Sequence, residues 1–132
     1  MSDKMPKPMG LYPMTKRVGD ILFVSGLGPR EAGTDCIPGL ELDKYGNYLS
    51  FDFEAQVHAV FKNVRQALED AGSSWNNIVD VTVFLTNMKR DFVAYNKLYA
   101  DYFKDVQPTR TTVEVTSLPS PIAIELKVIA RV

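Results

Sequence analysis

"IAIELKVIARV", residues 122–132, places an apolar side chain at every second position from Ile122 to Val132. A period of two is the signature of a β-strand with one face in a core. The opposite parity carries Ala123, Glu125, Lys127, Ile129 and Arg131. That second face is half apolar with isolated charges, the pattern of a surface that meets another subunit. Just upstream, "RTTVEV" (110–115) reads as a second strand, headed by Arg110. A glutamate inside one strand and an arginine at the head of its neighbour need a reason, because strands disfavour Glu.

Working outward, the periodicity predicts the order β-β-α-β-α-β-β. "DILFVSG" (20–26) is a continuous apolar run that reads as a strand buried on both faces, with Tyr12–Val18 as its partner and a turn at Gly19–Asp20. From Phe53 the spacing becomes helical through Ala71, with Asp52 as the N-cap. "NIVDVTVFLT" (77–86) returns to a strand. A second helix follows, with Asp91 as its expected cap and Phe92, Tyr95, Leu98, Tyr99, Tyr102 and Phe103 on one stripe. Two amphipathic helices on one face of one sheet make a two-layer α+β domain spanning 1–132. Residues 1–10 read as a flexible arm. Residues 27–50, rich in Gly and Pro, read as a long loop or insertion with a small hairpin near Tyr45–Leu49.

Composition narrows the function. The chain has 132 residues, 45% of them hydrophobic and 23% charged, with a net charge of −1. Nothing here suits a protein that coats nucleic acid. No apolar run reaches the ~20 residues of a membrane helix, and the first residues lack the apolar centre of a signal peptide. The expectation is a cytoplasmic domain. Cys36 and His58 are the only residues of their kinds, so neither a disulfide framework nor a common zinc site is expected, and no cofactor is implied.

Few residues can carry chemistry. Arg110 presents a rigid fork of donors that fits a carboxylate; its bland reading is a strand-end arginine paired with an acid. Glu125 is either one half of an ion pair with a lysine such as Lys127 or a pocket carboxylate that orients or deprotonates water. Glu114 competes by the same logic. "VSGLG" (24–28) ends a strand with exposed N–H groups, yet no helix follows, so it matches no phosphate-binding fingerprint. Thr112 and Ser25 supply hydroxyls. His58 lies off the apolar stripe and reads as a solvent-side residue, which disfavours a Ser-His-Asp triad.

The chain resembles the RidA/YjgF family of imine and enamine deaminases. The resemblance runs from "GLYPMTKRVGDILFVSG" through "NVRQALEDAGSSWNNIVDVTVFLTNM" to "PTRTTVEVTSLPSPIAIELKVIARV". The last block is the specific one: Pro-x-Arg, a short strand, "LP", and an apolar strand with an embedded Glu. The resemblance implies a chorismate-mutase-like fold, a homotrimer, and sites in the clefts between subunits. It implies that Arg110 binds the substrate carboxylate and Glu125 positions the water. It also implies that Tyr12, Ser25 and Gly26 line the pocket. Thr112 stands where many members have cysteine, and 27–50 is longer than in compact members. Both features resemble the 2-aminomuconate deaminases, with Arg30 placed to serve a second carboxylate. The implied reaction is hydrolysis of a 2-imino or 2-enamino acid to ammonia and a 2-oxo acid. The competing readings are a sensor of small carboxylates and, with less support, a ribonuclease or translation inhibitor.

Overall fold

The computed structural model describes residues 4–34 and 36–132. β1 (Thr15–Val18) and β2 (Ile21–Leu27) form an antiparallel hairpin across Gly19–Asp20. Gly19 has φ 61°, which the primed two-residue turns require at their first position and glycine adopts without strain. The long region then folds back as a second hairpin, β3 (Leu40–Leu42) and β4 (Tyr48–Phe51). Its turn is nucleated by Asp43, whose Oδ1 accepts from the N–H groups of Tyr45 at 2.8 Å and Asn47 at 2.9 Å. This hairpin is wider than the one expected at Tyr45–Leu49.

α1 (Phe53–Asp70) starts at Asp52, whose side chain accepts from the Ala55 N–H at 3.1 Å. A single 3₁₀ turn (Trp75–Asn77) leads into β5 (Ile78–Leu85), then α2 (Met88–Tyr102), β6 (Thr109–Glu114) and β7 (Ile124–Arg131). The main sheet has the order β1-β2-β7-β5-β6. Only β5 and β6 run parallel, joined across α2. β7 is central and antiparallel to both neighbours. Its Leu126 and Val128 meet Val57, Val60, Phe61, Val64 and Leu68 of α1, all buried. Each such side chain stabilises the fold by about 1.5–3 kcal/mol. The two-layer α+β architecture is therefore the expected one, with the β3–β4 hairpin added to it. No described helix is long and apolar enough to cross a membrane.

Three expectations need correction. β2 is not buried on both faces of the chain: Leu22, Val24 and Leu27 are buried, while Ile21 and Phe23 are 36% and 40% exposed on the face without helices. The apolar run belongs to a strand whose outer face has no cover within one chain. The N-terminal stretch is not a free arm where it is described. Met5 is 3% exposed and belongs to the core, because an apolar side chain gains more from burial than the polar stretch around it suggests. Residues 1–3 of that expected arm lie outside the described residues. α2 begins earlier than expected, and its cap is Asn87, whose side chain accepts from the Arg90 N–H at 3.0 Å. Asp91 instead sits inside the first turn, 2% exposed, and takes both Arg90 Nε and Nη2 at 2.7 and 2.8 Å.

Glu114 has a structural task at the same place. Its Oε1 accepts from the Met88 N–H at 2.8 Å, one of the orphan donors at the start of α2. A carboxylate there is also favoured by the helix dipole. Replacing Asn87 by Ala is expected to remove about 1 kcal/mol of stability, a fall of about 3–5 °C in Tm for a domain of this size. Thermal unfolding checks it: if Asn87→Ala melts with the native chain, the cap has been misassigned.

Candidate active site

Glu125 lies on β7 opposite Phe84 of β5. Its neighbours in sequence, Ile124 and Leu126, are both buried toward the helices, so alternation turns Glu125 to the other face. Beside it β2 has a bulge, where the register shifts between Val24↔Val128 and Leu27↔Leu126. The two residues in the bulge are Ser25 and Gly26. A Cβ on Gly26 would come within 2.8 Å of Glu125 Oε2, so a side chain here would push the carboxylate from its place, and glycine lets the backbone pass this close to it. Ser25 ties down the segment before β1: its Oγ donates to the Pro13 carbonyl at 2.7 Å and its N–H to that of Met14 at 2.9 Å. Together these elements enclose a small cavity of about 60 Å³ whose lining includes Tyr12, Met14, Gly26, Arg30 and Glu125.

The ion-pair reading of Glu125 finds no support. Lys127 turns its ammonium to the Val24 carbonyl at 3.3 Å. Among the described residues no side chain or backbone group hydrogen-bonds the Glu125 carboxylate. Burial pushes its pKa up, because the charged form loses solvation. Arg30, on the cavity wall, donates from Nη2 to the Lys7 carbonyl at 2.9 Å. Asn63, a buried residue of α1, donates to the carbonyls of both Gly28 and Arg30 at 2.9 and 2.8 Å, which fixes that stretch of the loop.

Arg110 is elsewhere. It pairs with Val81 of β5, whose side chain is buried under the helices, and it therefore points to the helical face. Its Nη1 donates to Asn96 Oδ1 of α2 at 2.9 Å, and its Cζ lies 4.6 Å from the Tyr99 ring centroid. None of the described residues accepts from Nε or Nη2. Those two nitrogens form one edge of the guanidinium, the geometry that takes a carboxylate in two parallel hydrogen bonds. Thr112, two residues on, shares this face, and its Oγ1 is buried without a partner among the described residues. Its β5 partner is Val83.

The expected residues thus form two groups. Tyr12, Ser25, Gly26, Arg30 and Glu125 gather around the β2 bulge on the open side of the sheet. Arg110 and Thr112 stand two strands away, ~10 Å at ordinary strand spacing, on the opposite side. One chain does not bring Arg110 to Glu125. Glu114 leaves the contest for a reactive carboxylate, since it caps α2. His58 Nδ1 is hydrogen-bonded to the Tyr102 hydroxyl at 2.6 Å, and Cys36 is exposed in the loop before β3. Among the described residues no three His, Cys, Asp or Glu side chains cluster as metal ligands. The sequence reading missed Asn96 and Asn63. The 92/96/99 spacing on α2 was the available signal for Asn96, but its aromatic members read as core. Asn63 had none, because its partners are backbone carbonyls more than thirty residues away.

Known proteins match this chain over nearly its whole length. The family described as Endoribonuclease L-PSP matches residues 2–132. A RutC family protein of Pyrococcus abyssi is 36% identical over 129 residues, covering 98% of this chain and 92% of its own length. The chloroplastic Reactive Intermediate Deaminase A of Arabidopsis thaliana is 30% identical, covering 98% of this chain and 63% of its own. Among solved structures, E. coli TdcF with bound serine superposes with a TM-score of 0.85 at 28% identity, covering 100% of this chain and 96% of that one. The chain belongs to this endoribonuclease L-PSP family, which is the RidA/YjgF/RutC family of the resemblance.

Proposed function

We propose that the protein is a hydrolytic deaminase of 2-imino and 2-enamino acids, acting in the cytoplasm. The observation that carries the reading is a pair of unmet demands on one sheet. Among the described residues Glu125 is a half-buried carboxylate with no hydrogen-bond partner beside a glycine bulge, and Arg110 has one bidentate edge unused. The similarity to a reactive intermediate deaminase supports the class of reaction. The serine bound to TdcF supports a small ligand with a carboxylate beside a nitrogen-bearing carbon.

The two groups complete each other when copies of the chain assemble. The uncovered sheet face, with Ile21, Phe23 and Ile129 between charges, is the surface for a homotrimer. Arg110 of one copy then faces the Glu125 cavity of the next. In this arrangement Arg110 anchors the substrate carboxylate. An enamine first tautomerises to the imine. Glu125 takes a proton from water as the oxygen adds to the C=N carbon, giving a carbinolamine. That proton passes to the nitrogen; the carboxylate then takes the hydroxyl proton and hands it to the amine as the C–N bond breaks, so ammonia leaves with a 2-oxo acid behind. The steps need position and charge. The raised pKa makes Glu125 a better base near neutrality than an ordinary carboxylate. Arg30, on the wall of the same cavity, suits a second carboxylate, so a dicarboxylate enamine such as 2-aminomuconate is the substrate we favour within the class. A ribonuclease has less to work with here: the net charge is −1 and the one histidine is bonded to Tyr102.

Ammonia release from an imine made in situ by an amino-acid oxidase tests the reaction, and its absence with every small 2-imino acid would leave the sensor reading. In this assay Arg110→Ala is expected to lose ~2–4 kcal/mol of transition-state binding, roughly 30- to 1000-fold in kcat/KM, and to stay folded. Glu125→Gln is expected to lose ~10²–10⁴ in kcat with a smaller change in KM. Glu114→Gln is the control that keeps activity; if it is the dead variant, the base lies on the wrong strand.

The pH profile follows from the direction of the shift. Glu125 acts as the carboxylate, so activity falls as pH drops through its raised pKa. The acid limb of kcat/KM is expected above the ordinary glutamate range, and an inflection within that range would contradict it. The stability effect has the opposite sense. The desolvated charge is a burden above that pKa, so Glu125→Gln should leave the fold at least as stable at neutral pH.

Assembly is tested by light scattering, with a trimer expected at micromolar concentration. Refolding Arg110→Ala chains together with Glu125→Gln chains should regain activity, since mixed trimers contain native clefts. A monomer, or no regain in a verified mixed trimer, would refute the shared site.

A further inference from the structure

Arg110 is held by more than a hydrogen bond. Phe92, Asn96 and Tyr99 follow one another at i, i+4 and i+7 along α2, which puts them on one face of the helix. Asn96 takes Nη1 of the arginine at 2.9 Å. The Tyr99 ring centroid is 4.6 Å from Cζ and that of Phe92 is 6.0 Å away. A guanidinium at these distances is attracted to the negative face of the ring. The Tyr99 ring is itself fixed: it stacks on Phe103 at 4.2 Å and 21° and tilts against Tyr95 at 5.8 Å. Phe103 in turn packs on Trp75 at 4.5 Å. The platform is backed by a run of core aromatics.

The Tyr99 hydroxyl does not explain the residue. Its oxygen is buried and has no hydrogen-bond partner among the described residues, an arrangement that burdens the fold rather than supporting it. What the side chain offers Arg110 is its face. We propose that Tyr99 is a positioning residue for substrate binding. Its ring sets the tilt of the Arg110 guanidinium while Asn96 sets its rotation, and the two leave the Nε–Nη2 edge ready for a carboxylate. Without the ring, the long arginine side chain must be ordered by the substrate, and binding weakens by that amount. The inference rests on Arg110 being the carboxylate anchor.

The experiment compares steady-state kinetics of the full chain and its Tyr99→Phe, Tyr99→Leu and Arg110→Ala variants, with imine generated in situ, alongside urea unfolding. Tyr99→Phe keeps the ring and is expected to keep KM. Tyr99→Leu is expected to raise KM by roughly 2- to 30-fold, the range of a cation–π contact, with kcat within about twofold. An anchor acting alike on ground and transition states shows in KM. A purely structural role would instead lower the urea midpoint and the active fraction, hence kcat, at unchanged KM, and that result overturns the proposal. If Tyr99→Leu does not fold, ring-fluorinated phenylalanines at position 99 keep the shape and drain the face of negative charge. KM rising with each fluorine supports the proposal, and a flat series ends it. Arg110→Ala separates the two readings. If it leaves KM unchanged, the anchor and this inference both fail. If it raises KM while the Tyr99 variants do nothing, only this inference fails.

Discussion

A central strand has two faces, and β7 must serve both. Its register is locked on either side, by β2 and by β5, and a slip of one residue would exchange the faces. With Leu126 and Val128 committed to the helical side, Glu125 has no choice but the open side. The apolar alternation that builds the core is thus the same constraint that positions the carboxylate we propose as the base. The neighbouring bulge depends on it too. Ser25 and Gly26 leave the ladder where Glu125 needs room, and the bulge then ties the segment before β1 across the cavity through Ser25 and Pro13.

The other group follows from α2. β6 runs parallel to β5 because a helix carries the chain back between them. That helix lies over the face to which Arg110, Thr112 and Glu114 point, and each of the three is marked by it. Glu114 is spent on the first turn, Arg110 is gripped by Asn96 and Tyr99, and Thr112 keeps a buried oxygen without a partner among the described residues. The strand supplies the residues and the helix decides which of them remains available to a ligand.

Much of this was legible beforehand, for identifiable reasons. The period of two in 122–132 and the helical spacing after Asp52 are strong local signals, and the elements they predicted are present. The candidate residues were also nameable: Glu125 goes against strand preference, and Arg110 belongs to the Pro-x-Arg block that carries the family resemblance. What could not be read locally was which face each residue takes. Arg110 and Glu125 look like neighbours in sequence pattern, yet a parallel strand and an antiparallel strand two places apart turn them to opposite sides. The cap of α2 was misread because Asn87 and Asp91 are both good cap residues, and only the burial of Asp91 against Arg90 separates them. Met5 was missed because one apolar side chain in a polar stretch has no period.

The described N-terminal stretch has a practical consequence. Pro6, Pro8, Met9 and Tyr12 contribute to the wall around Glu125, whereas β7 carries the chain away from it toward Val132, ~25 Å along eight strand residues. Val132 itself ends beside Asp20, donating its N–H to that carbonyl at 3.0 Å. A bulky label attached at Met9, which is exposed on that wall, would stand at the mouth of the cavity and compete for the space around Glu125. The same label at Val132 would sit at the far end of the sheet, which makes that residue the safer handle for labelling or immobilisation.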